Sequence, residues 1–208
     1  MKNLLKATAM LLLFFAVDCK AQGNMVTDIN GRPYRTKAYD DIEGSPYLYD
    51  AWMPGTVKMN YGSVYTNISL KLNEQEGKLY FKGKNDEVLE FVDPVTEFTL
   101  NGMHFIAEAG TFYQVLADGS TKLLKQPVKE IQETKTYGSA VASKTFIAAD
   151  KYFVMSNGKL TAVKKDKKAI LAALAGKQAE VEAYMKKESL NFKNDADLAK
   201  LFIYYNSL

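Results

Sequence analysis

His104 is the only histidine in the chain, and its side chain is the one best suited to acid–base catalysis or metal binding near neutral pH. In a strand, His104 would share one face with Ile106 and Glu108, opposite Met103 and Phe105. A histidine and a glutamate on one face can exchange a proton with a substrate. One histidine and one carboxylate nevertheless fall short of the three or four ligands of a zinc site. We therefore interpret His104 as an ordinary strand residue.

Motifs that define several enzyme classes are absent from the sequence. It contains no zinc-protease motif (H-E-x-x-H), phosphate loop (G-x-x-x-x-G-K-[ST]), nucleophile elbow (G-x-S-x-G) or dinucleotide fingerprint (G-x-G-x-x-G). A serine triad would have to use His104 as its base, because the chain has no second histidine. The sequence therefore favours a protein that is not an enzyme.

Chemistry that needs only carboxylates is compatible with this composition. Glycoside hydrolysis uses two acidic side chains that face each other across a cleft. The candidate acids are Asp40, Asp41, Glu43, Glu90, Asp93, Glu97, Glu108 and Asp150. Their spacing favours no particular pair, and solvated strand faces explain them equally well. The cluster at residues 40–43 lacks the alternating oxygen ligands of a calcium loop, so we predict no catalytic, cofactor-binding or metal-binding residue, and no cofactor.

Aromatic residues are abundant, and several are adjacent in segments with a strand-like pattern. The adjacent pairs are Tyr80-Phe81, Phe112-Tyr113 and Tyr152-Phe153. In a regular strand, one ring of each pair points away from the core. Such rings can form a surface for a glycan, a peptide or a protein partner, or they can pack beneath other segments. Packing is favoured, because many strands and helices leave much sheet surface to cover.

Alternation of apolar and polar residues predicts strands from about residue 54 to residue 165. In the first strand, Val57, Met59 and Tyr61 are expected on one face. In the second, the residues expected to share a face are Val64, Thr66, Ile68, Leu70 and Leu72. Tight hairpin turns are predicted where dipeptides tolerate positive φ angles: Asn101-Gly102, Asp118-Gly119 and Asn157-Gly158.

The period changes to that of amphipathic helices after Asp166, which is a suitable N-cap for a helix ending near Gly176. A second helix is expected to place on one stripe Val181, Tyr184, Met185 and Glu188. A third helix, with Asn194 as N-cap, has the stripe Leu198, Leu201, Phe202 and Tyr205. Because such short helices are not stable alone, we predict that they dock on the sheet or on each other.

These elements predict an α+β fold. Its main part is an antiparallel β meander of about ten strands, forming a partial barrel or a sandwich. A cluster of short amphipathic helices follows at residues 166–206. We predict a single β-rich domain at residues 54–208, preceded by an extended lead-in at 22–53. The aromatic residues of this lead-in, expected to pack on the body, are Tyr47, Tyr49 and Trp52.

The first 21 residues are typical of a secretory signal peptide. Lys2 and Lys6 precede an apolar run at residues 7–17. This run is too short for a membrane span, which needs about 20 residues. No other apolar run approaches that length, so no transmembrane segment is expected after processing.

Two cleavage sites compete at the end of this leader. Cleavage after Ala21 would produce a mature chain that begins at Gln22 and has no cysteine. Cleavage before Cys19 would produce a lipoprotein, but Asp18 is a poor fit to the small apolar residues of such a site. We therefore predict export to the periplasm or the extracellular medium, with a lipid anchor at Cys19 as the less favoured alternative.

Charge is unevenly distributed along the chain. Residues 22–158 include 14 basic and 17 acidic residues, whereas residues 159–208 include 10 basic and 6 acidic residues. A basic segment can bind nucleic acid or an anionic surface. No arginine follows Arg35, however, and arginine is the usual partner of phosphates and bases. Because acids are interleaved with the lysines, the sequence favours a solvated helical face and no nucleic-acid partner.

Three stretches are distinctive as a set: DIEGSPYLYDAWMPGTVKMNYGSVYTNISLKLN, YFVMSNGKLTAVKKDKK and LAKLFIYYNSL. Together they resemble a group of small secreted proteins that is common in Bacteroidota. The resemblance covers most of the mature chain and implies export from a Gram-negative cell. It supplies no catalytic residues, since that group has no assigned activity.

The leading interpretation is therefore an exported, non-catalytic cell-envelope protein. It would act as a binding or interaction module, with an envelope protein, a glycan or an apolar ligand as partner. One alternative is a carboxylate-dependent hydrolase with a glycan-type substrate. Another is a carrier that shelters a lipid or other apolar ligand beneath the C-terminal helices.

Overall fold

The computed structural model describes residues 39–135 and 142–208. The strands in these ranges are β1 (Ile42–Glu43), β2 (Met53–Met59), β3 (Val64–Asn73), β4 (Lys78–Lys82), β5 (Val88–Glu90), β6 (Val95–Leu100), β7 (Met103–Glu108), β8 (Thr111–Ala117), β9 (Thr121–Gln126), β10 (Lys129–Thr134), β11 (Ser143–Ala148), β12 (Lys151–Ser156) and β13 (Lys159–Val163). The helices are α1 (Lys167–Ala173), α2 (Gln178–Lys187) and α3 (Asp195–Ser207).

Ten of the strands form one antiparallel sheet in the order β13-β12-β9-β8-β7-β6-β2-β3-β4-β5. Strands β2 to β5 form a meander, β6 returns beside β2, and a second meander then runs from β6 to β9. The remaining strands form a small sheet in the order β1-β11-β10, in which β1 lies parallel to β11. The predicted α+β fold, a mainly antiparallel meander followed by short helices, is confirmed.

The large sheet curls on itself without closing. Strands β4 and β8 are five positions apart, a distance of about 24 Å in a flat sheet. Leu79 of β4 and Phe112 of β8 nevertheless line the same cavity. The concave side of this curl holds the first hydrophobic core, where the Phe98 and Phe105 rings stack with centroids 4.5 Å apart.

One glycine permits a close approach within this core. A Cβ on Gly55 of β2 would lie 2.1 Å from the carbonyl oxygen of Thr99 and 2.5 Å from Cδ1 of Leu70. No side chain fits at this position without moving one of the neighbouring strands. Gly55 thus allows β2 to lie between β6 and β3 with both partners packed tightly against it.

The predicted hairpin turns are present between β6 and β7, between β8 and β9, and between β12 and β13. In the first, Asn101 and Gly102 have φ angles of 49° and 80°, and in the last, Asn157 and Gly158 have φ angles of 52° and 72°. Consecutive positive φ angles produce the turn twist that matches the twist of the flanking strands.

Strand β3 departs from the predicted alternation. Asn67 has a φ of 56°, and the pairing of β3 with β2 gains one extra residue on β3 near this point. This bulge reverses the two faces, so that Val64 pairs with Lys58 and is exposed instead of sharing a face with Leu70. The prediction is correct for the C-terminal part of β3, where Leu70 and Leu72 are buried.

Tyr61 also differs from its predicted position beside Val57 and Met59. The backbone N–H of Gly62 donates to the carbonyl oxygen of Met59, and this bond closes the β2–β3 turn around Tyr61. Val57 and Met59 are buried as predicted, whereas Tyr61 is 56% exposed because the strand has already ended.

The helix boundaries follow the predicted caps. The Asp166 carboxylate accepts the backbone N–H of Ala169 at the start of α1, and the Asn194 side chain accepts that of Ala196 at the start of α3. In α2, Glu188 is exposed and does not belong to the buried stripe, since the helix ends at Lys187. None of the helices in the described ranges combines the length and hydrophobicity that a membrane crossing requires.

The second hydrophobic core lies between the helices and the sheet. Leu198, Leu201 and Phe202 of α3 pack with Leu123 of β9 and Val154 of β12. At the other end of α3, the Asn206 amide donates to the carbonyl oxygens of Asp118 and Thr121 and accepts the backbone N–H of Thr121. These bonds attach the C-terminus to the β8–β9 turn.

The lead-in packs on the body as predicted, within its described part from residue 39. The ammonium group of Lys71 lies 4.4 Å from the centroid of the Tyr47 ring and 5.6 Å from that of Trp52. Tyr49 packs against the first core. The signal peptide, Cys19 and the two cleavage sites lie outside the described residues.

Candidate functional site

Most of the predicted candidate acids have partners of their own in the structure. The Asp41 carboxylate lies 2.7 Å from Nζ of Lys144, and that of Glu90 lies 3.0 Å from Nζ of Lys78. Asp150 binds Lys125 at 2.8 Å and accepts the backbone N–H of Val128. Glu97 binds Lys58 at 2.7 Å, and Glu43 accepts the hydroxyl of Thr145 at 3.5 Å. The remaining candidates lie on exposed surfaces: Asp40, Asp93 and Glu108.

His104 is half-exposed in β7, as an ordinary strand residue would be. Its Nε2 atom lies 3.4 Å from the Glu97 carboxylate of β6, which also binds Nζ of Lys58 at 2.7 Å. The acidic partner of His104 is thus a residue of the neighbouring strand instead of Glu108. Within the described ranges, no three His, Cys, Asp or Glu side chains converge as a metal site would require.

A groove crosses the molecule where the two halves of the curled sheet approach each other. It consists of two adjoining cavities, of about 270 Å³ and about 260 Å³. Both are lined by Gly77 of the β3–β4 turn, Gly110 of the β7–β8 turn and Phe112 of β8. We call this feature the Phe112 groove. Its first cavity continues to the 91–94 loop, and its second to the 126–128 segment.

The β3–β4 turn that forms one wall of the Phe112 groove is held by a network of side chains. The buried Asn73 side-chain oxygen accepts the backbone N–H groups of Gln75 and Glu76, each at 3.0 Å. The two carboxylate oxygens of Glu76 accept the hydroxyls of Tyr39 and Tyr80, at 3.0 and 2.7 Å. Burial and the Glu76 carboxylate raise the pKa of Tyr39 to about 12. This wall is therefore pre-formed.

Glu74, in the same turn, is the acid that the sequence analysis missed. Its side chain lines the second cavity but is only 7% exposed. Lys129 is its ionic partner at 3.5 Å, and the ammonium group of Lys129 also donates to the carbonyl oxygens of Ser45 and Tyr47, both at 2.7 Å. Burial raises the pKa of Glu74, and the attraction of Lys129 offsets this only in part.

Three polar side chains of the second cavity remain available for a ligand. Thr111, Gln126 and Lys151 line the cavity, and none of their side chains forms a hydrogen bond or an ion pair with another described residue. Phe112 lies between them and the first cavity, where its ring packs edge-on against Phe98 at 5.1 Å. The groove therefore combines an apolar floor with unpaired polar groups, as ligand sites commonly do.

Exposed tyrosines continue this surface beyond the first cavity. Tyr61 and Tyr65, at the end of the β2–β3 hairpin, are 56% and 46% exposed, and their hydroxyl oxygens lie 3.3 Å apart. The backbone N–H of Asn60 donates to the carbonyl oxygen of Pro94, which lines the first cavity. The hydrogen bond with Tyr65 and the nearby Asp93 carboxylate raise the pKa of Tyr61. The hairpin end is thus attached to one end of the Phe112 groove.

A second polar cluster joins the sheet to the helices, and we call it the Asp195 network. Lys125 of β9 lies between Asp150, at 2.8 Å, and Asp195 of α3, at 3.2 Å. The Asp195 carboxylate also accepts the hydroxyl of Tyr152 at 2.8 Å and binds Lys165. Burial works to raise the pKa of Asp195, but the Lys165 and Tyr152 hydrogen bonds outweigh it and lower that pKa. The Asp195 network therefore links the large sheet to α3.

Comparison of the chain with protein-family models, with curated proteins and with solved structures finds no match. The assignment of a function therefore depends on the geometry of the Phe112 groove and of the surfaces around it.

The raised pKa of Glu74 predicts a characteristic pH dependence of stability. An unfolded glutamate titrates near pH 4.3. The folded state binds the Glu74 proton more tightly than the unfolded state does. Protonated Glu74 therefore contributes to the free energy of unfolding below about pH 4, and this contribution is lost as pH rises through the folded pKa. The stability of the wild type relative to Glu74→Gln should thus decrease from about pH 4 towards neutral pH, as urea denaturation at several pH values would measure.

Glu97→Gln provides a control of opposite sign. The hydrogen bond from Lys58 lowers the pKa of Glu97, so its stabilising contribution is present above about pH 4.3 and is lost as pH falls. The free energy of unfolding of the wild type, relative to that of Glu97→Gln, should increase as pH rises through this range. Parallel pH profiles for the two variants would contradict the assignment for Glu74.

Proposed function

We propose that the protein is an exported, non-catalytic binding module of the cell envelope that holds an extended oligosaccharide along the Phe112 groove. The observation that carries the proposal is the continuity of the groove, whose two cavities share Gly77, Gly110 and Phe112. Export is supported by the secretory character of the first 21 residues and by the resemblance to small secreted proteins of Bacteroidota.

The chemistry of the groove favours a neutral, hydroxyl-rich chain. Thr111 and Gln126 supply hydrogen-bonding groups that can act as donors or acceptors, and Lys151 supplies a further donor. Glu74, Glu76 and Lys151 line the same cavity, and Lys129 pairs with Glu74. Two carboxylates and two ammonium groups thus lie at this cavity, so neither sign of charge dominates there. Sugar rings also present C–H faces, which suit the apolar floor at Phe112 and the exposed ring of Tyr61.

Binding can be measured by titration calorimetry with a panel of neutral hexasaccharides: β-1,4-glucan, β-1,3-glucan, α-1,4-glucan, xylan and chitin fragments. At least one member should bind. The double variant Gln126→Ala with Lys151→Ala should weaken that binding about tenfold or more, since each lost hydrogen bond costs about 0.5–1.5 kcal/mol.

A matched control is available on β10 and at the residue that follows it. Gln132 and Lys135 are exposed, and neither lines the Phe112 groove. Gln132→Ala with Lys135→Ala should therefore leave the affinity unchanged. Failure of every saccharide to bind at millimolar concentration, or an equal loss in both double variants, would overturn the proposal.

A carboxylate-dependent hydrolase is the second candidate function, and one observation favours it. Glu74 lines the groove and has the raised pKa that a general acid needs. Glu76, the acid closest to it in sequence, is engaged by two tyrosine hydroxyls, which favours a positioning role. Release of new reducing ends from the same saccharides, abolished by Glu74→Gln, would replace the binding proposal with this one.

An apolar carrier has less support. A carrier of the kind expected from the sequence would hold its ligand beneath the C-terminal helices. Leu174, Val181, Leu201 and Phe202, on or beside the three helices, are fully buried in the core between helices and sheet, so side chains occupy that space.

A further inference from the structure

The outer face of α1 and α2 carries a shallow, lysine-rimmed depression. Two adjoining open cavities, of about 480 Å³ and about 600 Å³, share Lys167. Lys168 of α1 and Lys186 of α2 complete the basic rim, while Ala179 and Ala183 of α2 line the second cavity. The remaining lining includes the apolar residues Leu171, Met185, Leu190 and Phe192, so the lysines surround a partly apolar centre.

Several of the acidic residues that alternate with these lysines in the sequence are engaged in hydrogen bonds or ion pairs with other groups: Asp166, Glu182, Asp195 and Asp197. Asp166 is occupied as the N-cap of α1, and Asp195 belongs to the Asp195 network on the sheet side of α3. Asp197 accepts the backbone N–H of Asn191. Glu182 is the acid among the residues that line the depression, and it accepts the side-chain N–H of Gln178.

The lysines themselves are left without acidic partners. Lys167, Lys168 and Lys186 are exposed and form no ion pair with any described residue. The same holds for three other lysines of the helical region: Lys164, Lys187 and Lys193. The lining of the depression thus carries three lysines without an ionic partner among the described residues, against one acid, Glu182.

We propose that this face binds the anionic headgroup layer of a lipid bilayer. Lysines act as separate point charges, which suits an array of anions, whereas a single planar anion is usually held by an arginine fork. The depression is open, so it would leave a lone acyl chain half in water. A basic face beside an anionic bilayer gains attraction from each lysine within a Debye length of the surface.

This inference concerns a surface different from the Phe112 groove and does not depend on the oligosaccharide proposal. Adhesion by α1 and α2 would hold the protein at a membrane without any inserted segment. No described residue lines both the Phe112 groove and the depression, so the two proposals stand or fall separately.

Co-sedimentation with vesicles tests the proposal. The protein should sediment with phosphatidylcholine vesicles that contain one part in three phosphatidylglycerol, and should not sediment with pure phosphatidylcholine. Raising the salt concentration from about 0.05 M to about 0.5 M should release it. The triple variant Lys167→Gln, Lys168→Gln, Lys186→Gln should bind about a hundredfold more weakly, at about fivefold for each lysine.

The control variant removes the same formal charge elsewhere: Lys58→Gln, Lys84→Gln and Lys135→Gln. These lysines belong to β2, the β4–β5 turn and the residue after β10, and none lines the depression. The control should bind anionic vesicles like the wild type. Because the altered lysines of the test variant are exposed, it should melt at the wild-type temperature, which circular dichroism would verify.

Three outcomes would overturn the proposal. The first is an absence of sedimentation with anionic vesicles at low salt. The second is an equal loss in the test and control variants, which would show that net charge alone matters. The third is release of the bound protein by a single-stranded oligonucleotide at a phosphate concentration well below that of the lipid, which would favour a nucleic-acid partner instead.

Discussion

Replacement of Leu201 by alanine is expected to lower the free energy of unfolding by about 2–5 kcal/mol. Leu201 lies on α3, is fully buried, and packs in the core between helices and sheet with Leu198 and Phe202. Alanine would remove buried methyl groups and leave a cavity that the β8 and β9 side of the core can fill only in part. Urea or thermal denaturation of the full chain measures the loss.

Ile203 provides the matched control on the same helix. It is a branched aliphatic residue two positions further on, but its side chain is 58% exposed. Ile203→Ala removes the same number of side-chain carbon atoms from this helix as Leu201→Ala does. As a surface substitution, it should change the free energy of unfolding by about 0.5 kcal/mol or less. Equal losses in the two variants, or no loss in Leu201→Ala, would show that α3 does not dock as described.

Lys125→Met should destabilise the protein by about 2–4 kcal/mol, because it removes one side of a half-buried charge network. Lys125 is only 19% exposed and lies between the carboxylates of Asp150 and Asp195. Burial works to lower the pKa of Lys125, but the two carboxylates outweigh it and raise that pKa. Without the ammonium group, Asp150 would keep only its bond from the backbone of Val128.

Lys58→Met tests whether this loss reflects burial of the network. Lys58 also binds a carboxylate, that of Glu97 at 2.7 Å, but its side chain is 47% exposed. Exposed pairs of this kind contribute about 0–1 kcal/mol. A difference of less than about 1 kcal/mol between the two lysine variants in urea denaturation would contradict the role of Lys125 as a link between the sheet and α3.

Turns and helix caps could be predicted because each depends on a few consecutive residues. The positive φ angles of Asn101 and Gly102 follow from the backbone freedom of that dipeptide. The caps at Asp166 and Asn194 follow from side chains that reach the backbone N–H groups two or three residues ahead. In such cases the determining contacts lie within the segment itself.

The face of β3 could be predicted only in part. The buried positions at Leu70 and Leu72 match a simple alternation, but the bulge near Asn67 reverses the faces at Val64. A bulge depends on how one strand fits both its neighbours, here around the close approach at Gly55. Residue types in β3 alone contain no clear signal for it.

Almost none of the residues of the candidate site could be identified from the sequence. Glu74 resembles any exposed acid in a polar turn until the lead-in covers it, where its backbone N–H donates to the carbonyl oxygen of Pro46. The Phe112 groove joins residues 77 and 110, which approach each other only because the sheet curls. Periodicity in the sequence cannot predict contacts between residues that are so far apart in the chain.

The sequence by itself was enough to predict the secretory leader, the strands and helices, the turns and the caps, because these depend on local composition and spacing. Only the tertiary structure decided which polar groups became paired. Asp195 of α3 binds Lys125 of β9 and Tyr152 of β12, whereas Lys167 and Lys186 are exposed and have no ionic partner among the described residues. Charge pairing depends on distances between elements, and these exist only once the helices have docked on the sheet.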